Sequence, residues 1–139
     1  MKFVRLFTVF VFLIALSACI THDKVKMVDD AFVGTFVGGN PDRSCGAMWW
    51  EIERNKDGTY FISFFTDSER MKLIVTEQGR WWVKEGYYYA LAPKYMTEPD
   101  VYRFEILNDV EIKFISSKYD KSTVCKESYS FIDKKISYF

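Results

Sequence analysis

Two neighbouring runs late in the chain constrain its fold more than any other feature. In Val101–Leu107, Tyr102, Phe104 and Ile106 fall on one side of an extended backbone, and Arg103 and Glu105 on the other. After Asn108-Asp109, the run Val110–Ser116 repeats the pattern, with Val110, Ile112 and Phe114 opposed to Glu111 and Lys113. A period of two is the signature of a half-buried antiparallel strand, because successive side chains leave a pleated backbone on opposite faces. A helix would need apolar residues three and four apart, and no such stripe of useful length occurs after residue 31. The chain is therefore committed to sheet.

Turn signals divide the rest of the sequence in the same way. Asn55-Lys56-Asp57-Gly58 separates Met48–Arg54 from Thr59–Thr66, and Asp-Gly between two β-rich runs is a strong hairpin signal. Gln78-Gly79 and Gly86 mark further breaks, while Pro93 and Pro99 bracket a loop over 92–100 and a second loop is read over 117–125. The reading is eight or nine short strands over 32–37, 47–54, 59–66, 71–77, 80–85, 87–92, 101–107, 110–116 and 127–132. This spacing predicts an all-β antiparallel meander, either curled into a small barrel or folded into a sandwich. A barrel has the advantage of leaving no open edge. With 139 residues, 49% hydrophobic and 19% aromatic, the chain has room for one such domain and apolar material to pack it.

The N-terminus is of another kind. Lys2 and Arg5 precede an apolar segment that reaches Ile20, broken only by Thr8 and small residues. Spanning a membrane needs roughly 20 apolar residues, so this segment reads as a secretory signal peptide. Its end, Leu16-Ser17-Ala18-Cys19, resembles the lipobox of bacterial lipoproteins at all four positions. The resemblance implies cleavage before Cys19, acylation of its thiol and amine (palmitate among the chains), and a permanent anchor, since stable attachment takes two or more acyl chains. Ile20, where an Asp would hold a Gram-negative lipoprotein at the inner membrane, implies the outer membrane, facing the periplasm. The expected organisation is a signal peptide over 1–18, a lipidated cysteine and tether over 19–30, and a β-barrel-like domain over 31–139.

Within that domain Gly34-Thr35-Phe36, Asp57-Gly58-Thr59-Tyr60 and Gly79-Arg80-Trp81-Trp82 are similar to the motifs of small lipocalin-like bacterial domains. The first of these carries Phe36 where a Trp is common in that family, and no C-terminal helix is evident. The resemblance implies a barrel that holds a ligand.

With Cys19 acylated, Cys45 and Cys125 remain in an oxidising compartment. They read as a disulfide closing about 80 residues, worth roughly 4.5 kcal/mol if unstrained. The other reading is a pair of buried thiols.

Among the aromatic residues, Trp50 shares a face with Met48 and Ile52, and Trp81 with Val83, so both belong to the core. Trp49 lies with Glu51 and Glu53, and Trp82 with Arg80 and Lys84. Trp49, Trp82 and Tyr88 are thus the candidate ligand or partner surface; the plainer alternative is cross-strand packing.

Chemistry is less well supplied. Glu51 and Glu53 stand about 7 Å apart along one strand, a spacing that solvated strand charges share with glycosidase carboxylates. The chain's one histidine, His22, falls in the tether. There is no phosphate-cradling glycine loop, no metal-ligand cluster and no paired nucleophile and base, so no catalytic residue and no cofactor is expected. Equal numbers of basic and acidic residues, 19 of each, argue against nucleic acid as a partner. The expected function is non-catalytic: a lipid-anchored barrel binding a small or apolar ligand. The alternative is an interaction role in the periplasm, as an assembly factor, hydrolase inhibitor or toxin-immunity protein.

Overall fold

The computed structural model describes residues 28–43, 46–117 and 130–137. Among them, eight strands pair antiparallel in chain order and close into a barrel, β8 against β1. The strands are β1 (Gly34–Asn40), β2 (Met48–Arg54), β3 (Thr59–Phe65), β4 (Leu73–Lys84), β5 (Tyr87–Leu91), β6 (Asp100–Ile106), β7 (Glu111–Ser116) and β8 (Ser130–Ile136). The all-β meander is as expected, and closure decides for the barrel over the sandwich.

Local chemistry accounts for the tight turns. Between β2 and β3, Gly58 has φ +80°, and the Asp57 carboxylate accepts hydrogen bonds from the Thr59 N–H (2.9 Å) and hydroxyl (2.6 Å). These bonds hold the Asp57 carboxyl below its usual range. Between β4 and β5, Glu85 and Gly86 both have positive φ (53° and 78°), as a two-residue turn matching the sheet twist requires. Between β6 and β7, the Asn108 side chain accepts from the Val110 N–H at 2.9 Å. These three hairpins lie at one end of the barrel, here the near end. The β1–β2, β3–β4, β5–β6 and β7–β8 connections lie at the far end.

One expected break is absent. Gln78-Gly79 does not separate two strands: β4 runs unbroken for twelve residues. Gly79 is there because another backbone passes close by. A Cβ placed on it would sit 2.0 Å from the Leu91 carbonyl oxygen. The last strand also runs later than 127–132, ending at Ile136.

The near end is plugged. Asp29 caps a single 3-10 turn, Asp30–Phe32, by accepting from the Ala31 N–H at 2.9 Å. The turn drives Phe32, fully buried, into the barrel, with its ring stacked 5.5 Å from Tyr88 and edge-on to Phe104 at 4.9 Å. Phe36, Ile52, Ile62, Trp81, Ile112 and Phe114 pack with it in one buried core. Toward the far end the inward positions Met48, Phe64, Glu77, Asp100, Tyr102 and Phe131 are only half-buried. Among the described residues the barrel is filled at the near end and less buried toward the far one.

Candidate functional site

The inward face of β2 reads Met48, Trp50, Ile52, Arg54, so the alternation that buries Trp50 and Ile52 also buries an arginine. On β8 the same alternation carries Asp133 inward beside Phe131. The two meet in the interior: Arg54 Nη2 donates to Asp133 Oδ2 at 2.6 Å, with the residues 3% and 0% exposed. Arg54 Nε donates to the Tyr88 hydroxyl at 2.9 Å, and Trp50 Nε1 donates to Asp133 Oδ1 at 2.8 Å. The guanidinium carbon lies 5.1 Å from the Phe36 and Tyr88 ring centroids and 5.3 Å from that of Phe114. Planar rings against a planar cation add cation–π attraction in a water-poor setting.

One donor in this cluster is left over. Arg54 Nη1 is buried and has no hydrogen-bond partner among the described residues. A buried donor on a charged group without an acceptor carries a penalty of about 1–3 kcal/mol or more. The arrangement therefore suits a further acceptor oxygen brought next to the guanidinium.

Titration follows from burial. It pushes the Tyr88 hydroxyl up, the neighbouring Arg54 pulling the other way. It does the same for Tyr60, reinforced by Tyr88 and by the carboxylates of Glu77 and Asp100. Glu77, inward on β4 opposite Ile62, is raised by burial alone. Tyr60 and Tyr88 thus stay neutral hydrogen-bonding groups at ordinary pH.

The expected aromatic surface is not assembled. Tyr88 is inside the barrel at 3% exposure, because it pairs with the inward Val83 and Tyr102. Trp82 is on the outer face as expected, yet it is buried to 9%. Its ring lies parallel to that of Tyr89 (5.2 Å, 3°), its direct cross-strand neighbour. Trp49 is half-buried against Gly39 near the far rim, opposite Phe65. Trp82 lies beyond the other end of β3, since Thr59 already opposes Arg80. The three residues do not share a surface. Glu51 and Glu53 face outward on β2.

Cys19, Cys45 and Cys125 lie outside the described residues. The strands flanking the two later cysteines, β1–β2 and β7–β8, all end at the far rim. Among the described residues no group of three or more His, Cys, Asp or Glu could hold a metal ion.

The far rim presents apolar side chains: Met71 (82% exposed), Leu73, Ile74 and Tyr95. Arg70, with φ 57°, anchors that loop by donating to the Trp50 and Gly38 carbonyl oxygens at 3.1 and 3.2 Å.

Sequence pattern could have found Arg54, since it continues the apolar face of Met48, Trp50 and Ile52. Asp133 was out of reach because the last strand was expected to stop at residue 132. No protein-family model matches the chain, and a search of curated proteins finds no match.

Proposed function

We propose that this is a non-catalytic lipoprotein, anchored at Cys19 to the outer membrane, whose barrel takes a small ligand through its far end. The ligand has an apolar body and an acceptor oxygen, carboxylate or carbonyl. One observation carries this reading: Arg54 Nη1, buried among rings and without an acceptor among the described residues. The filled near end restricts the ligand to what fits between Arg54 and the half-buried residues Phe64, Tyr102 and Phe131. Recognition then combines apolar contact with a charge-assisted bond at one fixed point.

The test is an NMR titration of the full-length protein with octanoate, with 1-octanol and octane as controls. Octanoate is expected to shift the Trp50 indole and the Tyr88 and Phe131 ring signals, and Arg54→Met to abolish those shifts. Interior signals unmoved by any of the three probes contradict the reading. The anchor is tested by Cys19→Ser, which is expected to lose the acyl mass and leave the membrane fraction. Cys45 and Cys125 are expected to resist alkylation until reduced, as paired cysteines do.

A second reading, interaction with another envelope protein, is favoured by the exposed Met71, Leu73, Ile74 and Tyr95 at the far rim. Capture of one partner from envelope extracts, lost on Met71→Asp with Leu73→Asp, would support it.

A further inference from the structure

The two ends of the barrel differ in a way that bears on how an anchored domain sits on its membrane. At the near end the β6–β7 hairpin exposes Ile106 (50%), Leu107 (46%) and Val110 (44%). Turn tips in water are ordinarily polar. Here the one polar side chain that shapes the turn is consumed internally: Asn108 accepts from the Val110 N–H and donates to Glu111 Oε2 at 2.9 Å. Beside it Ile106, Leu107 and Val110 face outward, together with the exposed Asp109.

The chain enters the barrel at this same end. Val28 reaches the β2–β3 turn, lying 3.4 Å from where a Cβ on Gly58 would be. Four residues later Phe32 sits edge-on to Phe104, which neighbours the hairpin on β6. Nine peptide steps separate Cys19 from Val28, a contour of at most about 32 Å. The far rim is a strand length away, roughly 20 Å farther from that attachment. An anchor at Cys19 therefore holds the near end within easy reach of the lipid.

We propose that the β6–β7 hairpin docks on the bilayer that holds the anchor, with Leu107 and Val110 set into the interfacial layer and the far end turned away from it. The proposal rests on acylation of Cys19. Charge is not the cause: Lys56 and Lys84 at the near end stand beside Asp30 (3.9 Å) and Glu85 (4.0 Å), and the hairpin itself carries Asp109 and Glu111. Apolar contact does the docking, so added salt should not weaken it.

The experiment places the full acylated protein in phosphatidylethanolamine–phosphatidylglycerol vesicles doped with a photoactivatable phosphatidylethanolamine, then maps the labelled peptides by mass spectrometry. Label is expected on the peptide holding residues 106–110 and not on that holding 71–74. Leu107→Asp with Val110→Asp should cut labelling there by about tenfold, as expected when buried apolar area is lost. Its thermal melting should match the parent, and Met71→Asp with Leu73→Asp should leave the 106–110 label unchanged. An acylated protein labelled at 71–74, or nowhere in the barrel, overturns the docking alone. Absence of the acyl mass at Cys19 overturns the anchor and the docking with it.

Discussion

Trp50 and Asp133 are joined by a hydrogen bond that passes over a third strand. The indole of β2 reaches the carboxylate of β8 at 2.8 Å across the face of β1, where Gly38 leaves room. Among the described residues the β8–β1 ladder registers three pairs, Thr35 with Ile136, Phe36 with Lys135 and Val37 with Lys134. Side chains therefore supplement the backbone at the closing seam. Asp133 binds β8 to β2 twice, through Trp50 and through Arg54.

Removing Asp133 should cost the seam both bonds and leave Arg54 as an uncompensated buried charge. Asp133→Ala is expected to destabilise by about 3–5 kcal/mol, seen as a lower urea midpoint. Arg54→Met combined with Asp133→Leu should recover much of that loss, since an apolar pair has no charge to desolvate. A double variant as unstable as the single one would refute this account of the pair.

Gly38 and the adjacent Gly39 should respond differently to alanine. A Cβ on Gly38 would lie 2.5 Å from Trp50 Nε1 and 2.6 Å from Asp133 Oδ1, both fixed in the interior. On Gly39 it would meet Trp49 Cδ1 at 2.4 Å, but that ring is half-buried on the outer face and can swing away. Gly38→Ala is expected to cost about 1–3 kcal/mol, as overpacking does, and Gly39→Ala clearly less, both read from denaturant melts.

The Phe32 plug should be worth as much as any core ring. Phe32→Ala opens a void between Trp81, Tyr88, Phe104 and Phe114, and an expected loss of about 3–5 kcal/mol follows. Faster hydrogen exchange at the β6–β7 hairpin should accompany it, because the plug braces Phe104.

Glu77 gives a pH dependence with a definite sign. Burial raises its carboxyl above the ordinary value, so the folded protein holds that proton more tightly than the unfolded chain. Its contribution is complete below the unfolded value and is lost as pH rises through the folded one. Glu77→Gln is therefore expected to raise the melting temperature at pH 7 and to give no gain near pH 4, where the carboxyl is largely protonated, as thermal scans at the two values would show.

Much of the fold was legible because β2, β6 and β7 alternate and the Asp57-Gly58 and Gly86 turns use residues suited to their φ. The face of Tyr102, Phe104 and Ile106, and the inward Trp50 and Trp81, follow from parity alone. Gly79 misled because its glycine answers to a neighbouring backbone, a contact no local pattern contains. Trp82 was placed on the correct face yet buried, since Tyr89 lies in register beside it and a parallel ring pair covers both. The polar cluster was the least legible part. Arg54 sits at a strand end, where charge ordinarily marks a turn, and its meaning depends on Asp133, 79 residues away. Parity can say that a charged residue points inward; it cannot say what it meets.

The central claim is that Arg54 Nη1 is held for a ligand's oxygen. The most direct measurement is a crystal structure of the protein purified from its own cells with whatever it binds there, read beside that nitrogen. The account predicts density for an organic molecule with an oxygen within about 3 Å of Nη1 and its apolar part toward Phe64, Tyr102 and Phe131. A single ordered water in that position, or side chains closed over it with no room for a ligand, would contradict it.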